Sequence, residues 1–370
     1  MGSARATTLA QGFSQKLLKE MYDQSILDAI VNRDYEGEIN GVGSKLNILN
    51  LDRISEKTYS GSDLSVDSLL ENNATLTIDQ WKSFYWKEKT IDNWQSYIKD
   101  PHATVVTQKA SERNKNMESF ALGLYGDVAS GNRVGTDYTT GTVAVANTTG
   151  VVTGSSTVFT AGMVGRGFKA TGHTTWYRIK TFTSTTSITI EDDKDDATSA
   201  YTGGAITAGA TYIIEANTAI SVTATNLVQK IADLRQKLDK AESLSRNAVP
   251  DSDRWMVLPP EGYNTLVRAT GIVLHVPEVY SDLVKKGFLG MLLGFKLFMS
   301  NRLTGDNTSG YRVLAGHTNW LTFAEKLLEA DIEEDLVGNF GSAYKDLFVY
   351  GAKVADSRRS QAAEGFFTFA

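Results

Sequence analysis

Apolar positions change period along the chain, and each change marks a segment. Within residues 1–40, Leu17, Leu18, Met21, Tyr22, Ile26, Ala29 and Ile30 recur three or four apart, the spacing of one helix face. The first dozen residues carry no period, as expected of a terminal arm that frays or orders only against a neighbour. Residues 41–98 switch to alternation in Lys45–Leu49 and Thr75–Asp79, followed by the aromatic run Lys82–Trp86. With the turn cluster Thr58–Asp63 between them, these runs predict a long antiparallel excursion, out and back. Residues 101–130 return to helix, with Pro101 in the first turn and Met117, Phe120, Ala121 and Leu124 on one face. Gly126 and Ser130-Gly-Asn132 end it.

Residues 133–217 are rich in Thr, Gly, Ser and Ala. Short β-type runs lie at 142–145, 157–160, 168–170, 176–182, 187–190 and 211–214. Such spacing predicts a small all-β sandwich or barrel. Helical sequence on both sides makes it an insertion whose ends lie close together. From Thr223, the stripe Leu227, Ile231, Leu234, Leu238 and Ala241 predicts an amphipathic helix. Arg254–Leu258 reads as a buried strand stopped by Pro259-Pro260, with a helix at Glu261–Ala269 and a strand at Phe295–Met299. Strands at Tyr311–Ala315 and Leu347–Val349 close the sheet, with helical sequence at Phe323–Ala330. The mixed order is α+β, not alternating βαβ.

Composition narrows the function. Apolar residues make up 41% and charged residues 22%, an ordinary globular balance. The net charge of −6 is unsuited to gripping phosphates, though compatible with a container that holds nucleic acid without sequence-specific binding. With 0 Cys there is neither a disulfide framework nor a thiolate site. The longest apolar stretch, Phe288–Met299, is broken by Lys296 and is far short of the roughly 20 residues of a membrane span. The N-terminal residues lack the apolar run of a secretory signal, so synthesis in the cytoplasm is the expectation.

Searching for chemistry returns no catalytic, cofactor-binding or metal residues. The 4 His, at 102, 173, 275 and 317, fall at no metal-ligand spacing and read as packing or surface residues. Glu191–Asp196 is acidic but lacks the Gly of a calcium loop and is interrupted by Lys194, so it reads as a solvated loop. Gly41-Val-Gly43-Ser-Lys45 precedes strand sequence, whereas phosphate cradles precede helices. Ser342-Ala-Tyr-Lys345 has the S-x-x-K form without its companion motifs.

The order of elements resembles the major capsid protein of tailed phages, the Hong Kong 97-type fold. Within 43–96, Lys45–Leu49, Thr58–Asp63, Ala74–Asp79 and Asp92–Gln95 resemble the extended loop of podovirus-type coat proteins. Arg254–Leu266 is similar to the family's strand–Pro–helix, and Gly294–Arg302 with Leu314–His317 to the stretch after it. Val152–Phe159 and Trp176–Ile179 look like small β domains of phage surface proteins.

The resemblance implies an N-terminal arm (1–40), an extended β loop (41–98), a spine helix with peripheral domain (99–132), an inserted β domain (133–217), an axial domain (218–305) and closing peripheral strands (306–370). It implies a non-enzymatic subunit that assembles with itself into hexamers and pentamers of an icosahedral shell around double-stranded DNA. A portal belongs with it, and, as no long charged pro-segment precedes the arm, so does an external scaffolding protein. The extended loop is expected to reach away from its own core and to find stability only by lying across another copy, with Tyr59, Asp63, Leu64 and Trp81 as the candidate inter-subunit contacts. A tail or surface adhesin using the β domain, and a nanocompartment shell, are the competing readings. The β domain either stabilises the subunit or binds a partner, with stabilisation the default.

Overall fold

The computed structural model describes residues 25–34, 45–48, 74–89, 101–193, 200–241, 249–269, 288–333 and 340–370. The expected helix over 17–30 is described only as α1 (Leu27–Ile30). The turn cluster 58–63 and the stretch 92–95 lie outside the described residues.

The central sheet is built on β14 (Arg254–Leu258), in which all five residues are buried. Burial on both faces explains why its sequence runs apolar without alternation. β14 pairs parallel with β16 (Phe295–Met299) and antiparallel with β18 (Gly310–His317). Beyond them lie β15 (Phe288–Leu292), β21 (Ala362–Phe369) and β13 (Ile220–Val222), in the order β13-β21-β18-β14-β16-β15. Two short strands, β4 (Arg133–Val134) and β17 (Gly305–Asp306), pair with β21 and β18. The stripe of α3 (Leu227–Lys240) is buried as its spacing predicts, at Leu227, Ile231, Leu234 and Leu238. Pro259 and Pro260 end β14 and open α4 (Pro260–Arg268), since proline lacks the N–H a strand needs and a first helical turn does not.

A second, three-stranded sheet joins β19 (Thr322–Glu333), β20 (Gly341–Lys353) and β3 (Gln80–Lys89) in that order, all antiparallel neighbours. α2 (Pro101–Gly123) packs on one face of it. There Arg113 pairs with the buried Asp346 and lies 4.9 Å from the Phe348 ring, Lys109 lies 4.7 Å from the Phe84 ring, and Phe120 meets Tyr350 edge-on at 5.5 Å. The hairpin of β1 (Lys45–Ile48) and β2 (Ala74–Thr77) contributes Leu46, Ile48 and Leu76, which with Ile78 form an apolar cluster with Ala324 and Val349.

This arrangement corrects two expectations. Phe323–Ala330 is strand and not helix. Leu327 packs with the main core and Leu328 with the β1–β2 cluster, so both faces are apolar and the alternation that announces a strand is lost. The excursion 41–98 does not, in its described residues, depend wholly on another copy. β1 and β2 pair with each other, and β3 pairs with β20 of its own chain.

The third sheet collects β5 (Thr136–Tyr138), β6 (Thr142–Val145), β7 (Val151–Ser155), β8 (Gly167–Ala170), β9 (Tyr177–Ser184), β10 (Ser187–Asp192), β11 (Ile206–Ala210) and β12 (Tyr212–Thr218). Their order is β11-β6-β7-β10-β9-β8-β12-β5. Val143, Val152, Phe159, Phe168, Ile179, Ile188 and Ile214 fall in one buried cluster, so the sheet curls round a core of its own. The expected strand at Thr157–Thr160 is instead a plug. The Thr157 hydroxyl and the Phe159 N–H both donate to the Thr185 carbonyl, which fixes Phe159 in that core.

Candidate assembly surfaces and a buried ionic junction

Two places outside the apolar cores concentrate chemistry. The first is where the third sheet joins the body. Glu364 on β21 is fully buried. Arg166, just before β8, donates from one nitrogen to both Glu364 oxygens at 2.9 and 3.0 Å. Arg312 of β18 reaches one oxygen at 3.0 Å, and the Arg133 Nε lies 3.1 Å from the other. The other guanidinium nitrogens of Arg133 donate to the carbonyls of Gly126, Val128 and Gly165. One carboxylate therefore ties three strands or loops from both sides of the junction.

Glu215 of β12 makes the complementary contact. Its carboxylate accepts the N–H groups of Gly131 and Arg133, all at 2.9 Å. Burial pushes its pKa up, against the pull of Arg133 and those two N–H groups. Lys237 of α3 donates to the Gly131 carbonyl at 2.8 Å. Entry and exit of the sheet touch. A Cβ on Gly135 would lie 2.6 Å from that of Ala216, closer than atoms tolerate, so glycine is required there. Asp193 accepts from the Ser130 N–H at 2.8 Å and pairs with Arg359 at 2.9 Å. Sequence reasoning read Asp193 as solvated and missed Glu215 and Glu364, because single acids in apolar strands carry no motif.

The second place is the free edge of the three-stranded sheet. β3 has no partner beyond β20 among the described residues. Trp81 and Tyr85 stand on it 58% and 54% exposed, while Phe84 and Trp86 of the alternate face pack inward, Trp86 stacked on Tyr344 at 5.2 Å. Of the candidate contacts, only Trp81 is placed; Tyr59, Asp63 and Leu64 lie outside the described residues.

The other candidate chemistry is accounted for by structure. His173 accepts the Ala170 N–H on Nδ1, which puts its proton on Nε2, 2.8 Å from the Tyr201 hydroxyl. Burial lowers the His173 pKa and pushes Tyr201 up to about 12, so this is a packed neutral pair. His317 caps the turn to Asn319 through Nδ1. Glu191 pairs with Lys180 at 2.9 Å, and Asp192 accepts from Thr202. Ser342 and Lys345, three apart on β20, point to opposite faces of a strand, and Lys345 pairs with Asp331 and Glu333 at 3.1 and 3.2 Å. Among the described residues no group of three or more side chains is placed to hold a metal, and no helix is long and apolar enough to cross a membrane.

Among solved structures, one from Mycobacterium phage Che8 superposes with a TM-score of 0.53 at 19% identity, covering 92% of this chain and 91% of that one. The capsid structure of the cyanophage P-SCSP1u gives 0.52 at 13% identity, over 94% and 89%. The capsid of Ralstonia phage GP4 gives 0.50 at 12% identity, over 90% and 87%. At these identities the likeness establishes the fold. No curated protein sequence matches the chain. A family model described as phage capsid protein matches residues 170–362, more than half of the 370 residues. The chain therefore belongs to the phage capsid protein family and is a major capsid shell protein.

Proposed function

We propose that the chain is the repeating subunit of an icosahedral shell, arranged as hexamers and pentamers, that encloses the double-stranded DNA genome of a tailed phage. It works by assembly and carries no catalytic role. The observation that carries this reading is the edge strand β3, whose exposed Trp81 and Tyr85 form a surface suited to burial against a neighbour. Tyr59, Asp63 and Leu64, on the same excursion, join Trp81 as inter-subunit contacts. Many modest contacts of this sort give a strong shell by avidity. The net charge of −6 suits a wall that contains DNA without gripping its phosphates. Assembly takes place in the host cytoplasm with a separate scaffolding protein and a portal. The third sheet, with its own core and its buried ionic junction, serves as an inserted domain that stabilises the subunit.

The test is direct. The purified chain, alone or co-expressed with its phage's scaffolding protein, is expected to sediment as capsomers or megadalton particles and to show closed shells by negative-stain microscopy. A chain that remains monomeric at every concentration under both conditions rejects the reading.

A further inference from the structure

The three-stranded sheet has two unlike edges. On β3 the cross-strand partners of Val349, Leu347, Lys345 and Ala343 are Trp81, Ser83, Tyr85 and Lys87. Directly paired residues share a face, so these four lie together, and the Lys87 ammonium sits 5.4 Å from the Tyr85 ring. On β19 the partners of Leu347, Lys345 and Ala343 are Glu329, Asp331 and Glu333. One face of the sheet thus carries an aromatic and basic column at one edge and an acidic column at the other. The inner end of β19 is already covered, because Asn32 bridges Thr322 and accepts the Phe323 N–H. Among the described residues, the outer, acidic half has no further strand beside it.

Charge on an edge strand often serves to repel other strands. Lys87 alone would fit that role. Two large exposed aromatics on the same face do not, since they add the apolar area that protective edges avoid. The acidic column supplies what the basic one lacks. β3 and β19 also run parallel, each being antiparallel to β20. A copy rotated about an axis near the strand direction therefore brings its β19 beside β3 with strands aligned. The geometry points to a second copy of this chain as the occupant: the β3 edge seats head to tail along the acidic outer half of β19 in the next subunit. Such a heterologous contact propagates and closes into a ring when the rotation closes. This inference rests on the shell reading and names the surface through which the shell's subunits meet.

The experiment uses the full chain with Lys87→Glu, Glu329→Lys and the two combined. Both positions are exposed, and circular dichroism melts verify that each variant is folded. Each single reversal is expected to raise the concentration needed for half-assembly by about two- to fivefold, the range of exposed ion pairs. Every copy presents both edges, so the double variant is expected to assemble better than either single one. Hydroxyl-radical footprinting is expected to protect Trp81 and Tyr85 in the assembled natural chain. If the natural chain assembles but the single reversals match it, or the double variant does no better than they do, the edge pairing is wrong and the shell reading stands. Protection of Trp81 only when a second protein is present assigns the edge to that protein and also overturns the pairing. A natural chain that never assembles removes the shell reading and this inference together.

Discussion

At the scale of single residues, the buried Glu364 and the partly buried Glu118 behave differently because their partners differ. Glu364 faces three guanidinium groups, and its removal leaves their charge uncompensated in a buried site. Glu364→Gln is expected to destabilise the chain by about 3–5 kcal/mol, the cost of breaking a buried ion pair by removing one member. Urea denaturation measures it, and a loss within experimental error of zero would show that the junction is not held by charge. Glu118 on α2 has only neutral donors in contact, the Ile26 N–H at 3.3 Å and the Ser300 hydroxyl at 3.2 Å. Burial raises its pKa, and those bonds, with the charge of Arg302, offset only part of that. A native pKa above the unfolded one means that the folded state keeps this proton to higher pH. Its contribution is then fully present below the unfolded pKa and is lost as pH rises through the folded one. Glu118→Gln keeps a hydrogen-bonding group and removes the buried charge. The stability of the variant relative to the natural chain is therefore expected to climb as pH increases from 4.5 toward neutrality. Thermal melts across that range decide it; a difference that stays constant with pH would assign the pKa shift no role in folding.

At the scale of elements, legibility followed how much each segment depends on distant partners. α3 was plain from its stripe, because one face meets the core and the others meet solvent. β14 was plain because five buried residues run unbroken into two prolines. Phe323–Ala330 misled because β19 is clamped between α2 with its core and the β1–β2 hairpin, and a strand that is apolar on both faces loses its period. The plug at Thr157–Phe159 misled for a related reason. Its β-branched and aromatic residues satisfy the propensity for strand, yet its hydrogen bonds go to the Thr185 carbonyl and the Tyr138 hydroxyl instead of a ladder. Of the proposed assembly surface, Trp81 was named in the sequence as a candidate contact on the extended loop. The acidic column of β19 was not, because Phe323–Ala330 reads as helix, and Glu329, Asp331 and Glu333 share a face only once the segment is a strand.

At the scale of the whole molecule, the proposal that the eight-stranded sheet of residues 136–218 is an insertion separate from the shell-forming body can be tested. Its core shares no residue with the main core, and its first and last strands pair, with Thr136 opposite Thr218. The β4 and β13 strands that flank it both run parallel to β21 of the central sheet. Val134 and Ile220 lie opposite Gly365 and Phe367 in the same direction, so a short extended linker joins them without moving the strands on either side. Neither sheet edge inferred to join subunits belongs to the excised part. Replacing residues 135–219 by such a linker is thus expected to leave assembly into closed shells intact. The shortened subunit loses Arg166 from Glu364 but keeps Arg133 and Arg312, so it melts at a lower temperature. Negative-stain microscopy reads the first outcome and calorimetry the second. A shortened chain that stays folded yet forms no particles would place a shell contact on the inserted sheet itself, and its role would then be assembly rather than stabilisation of its own subunit.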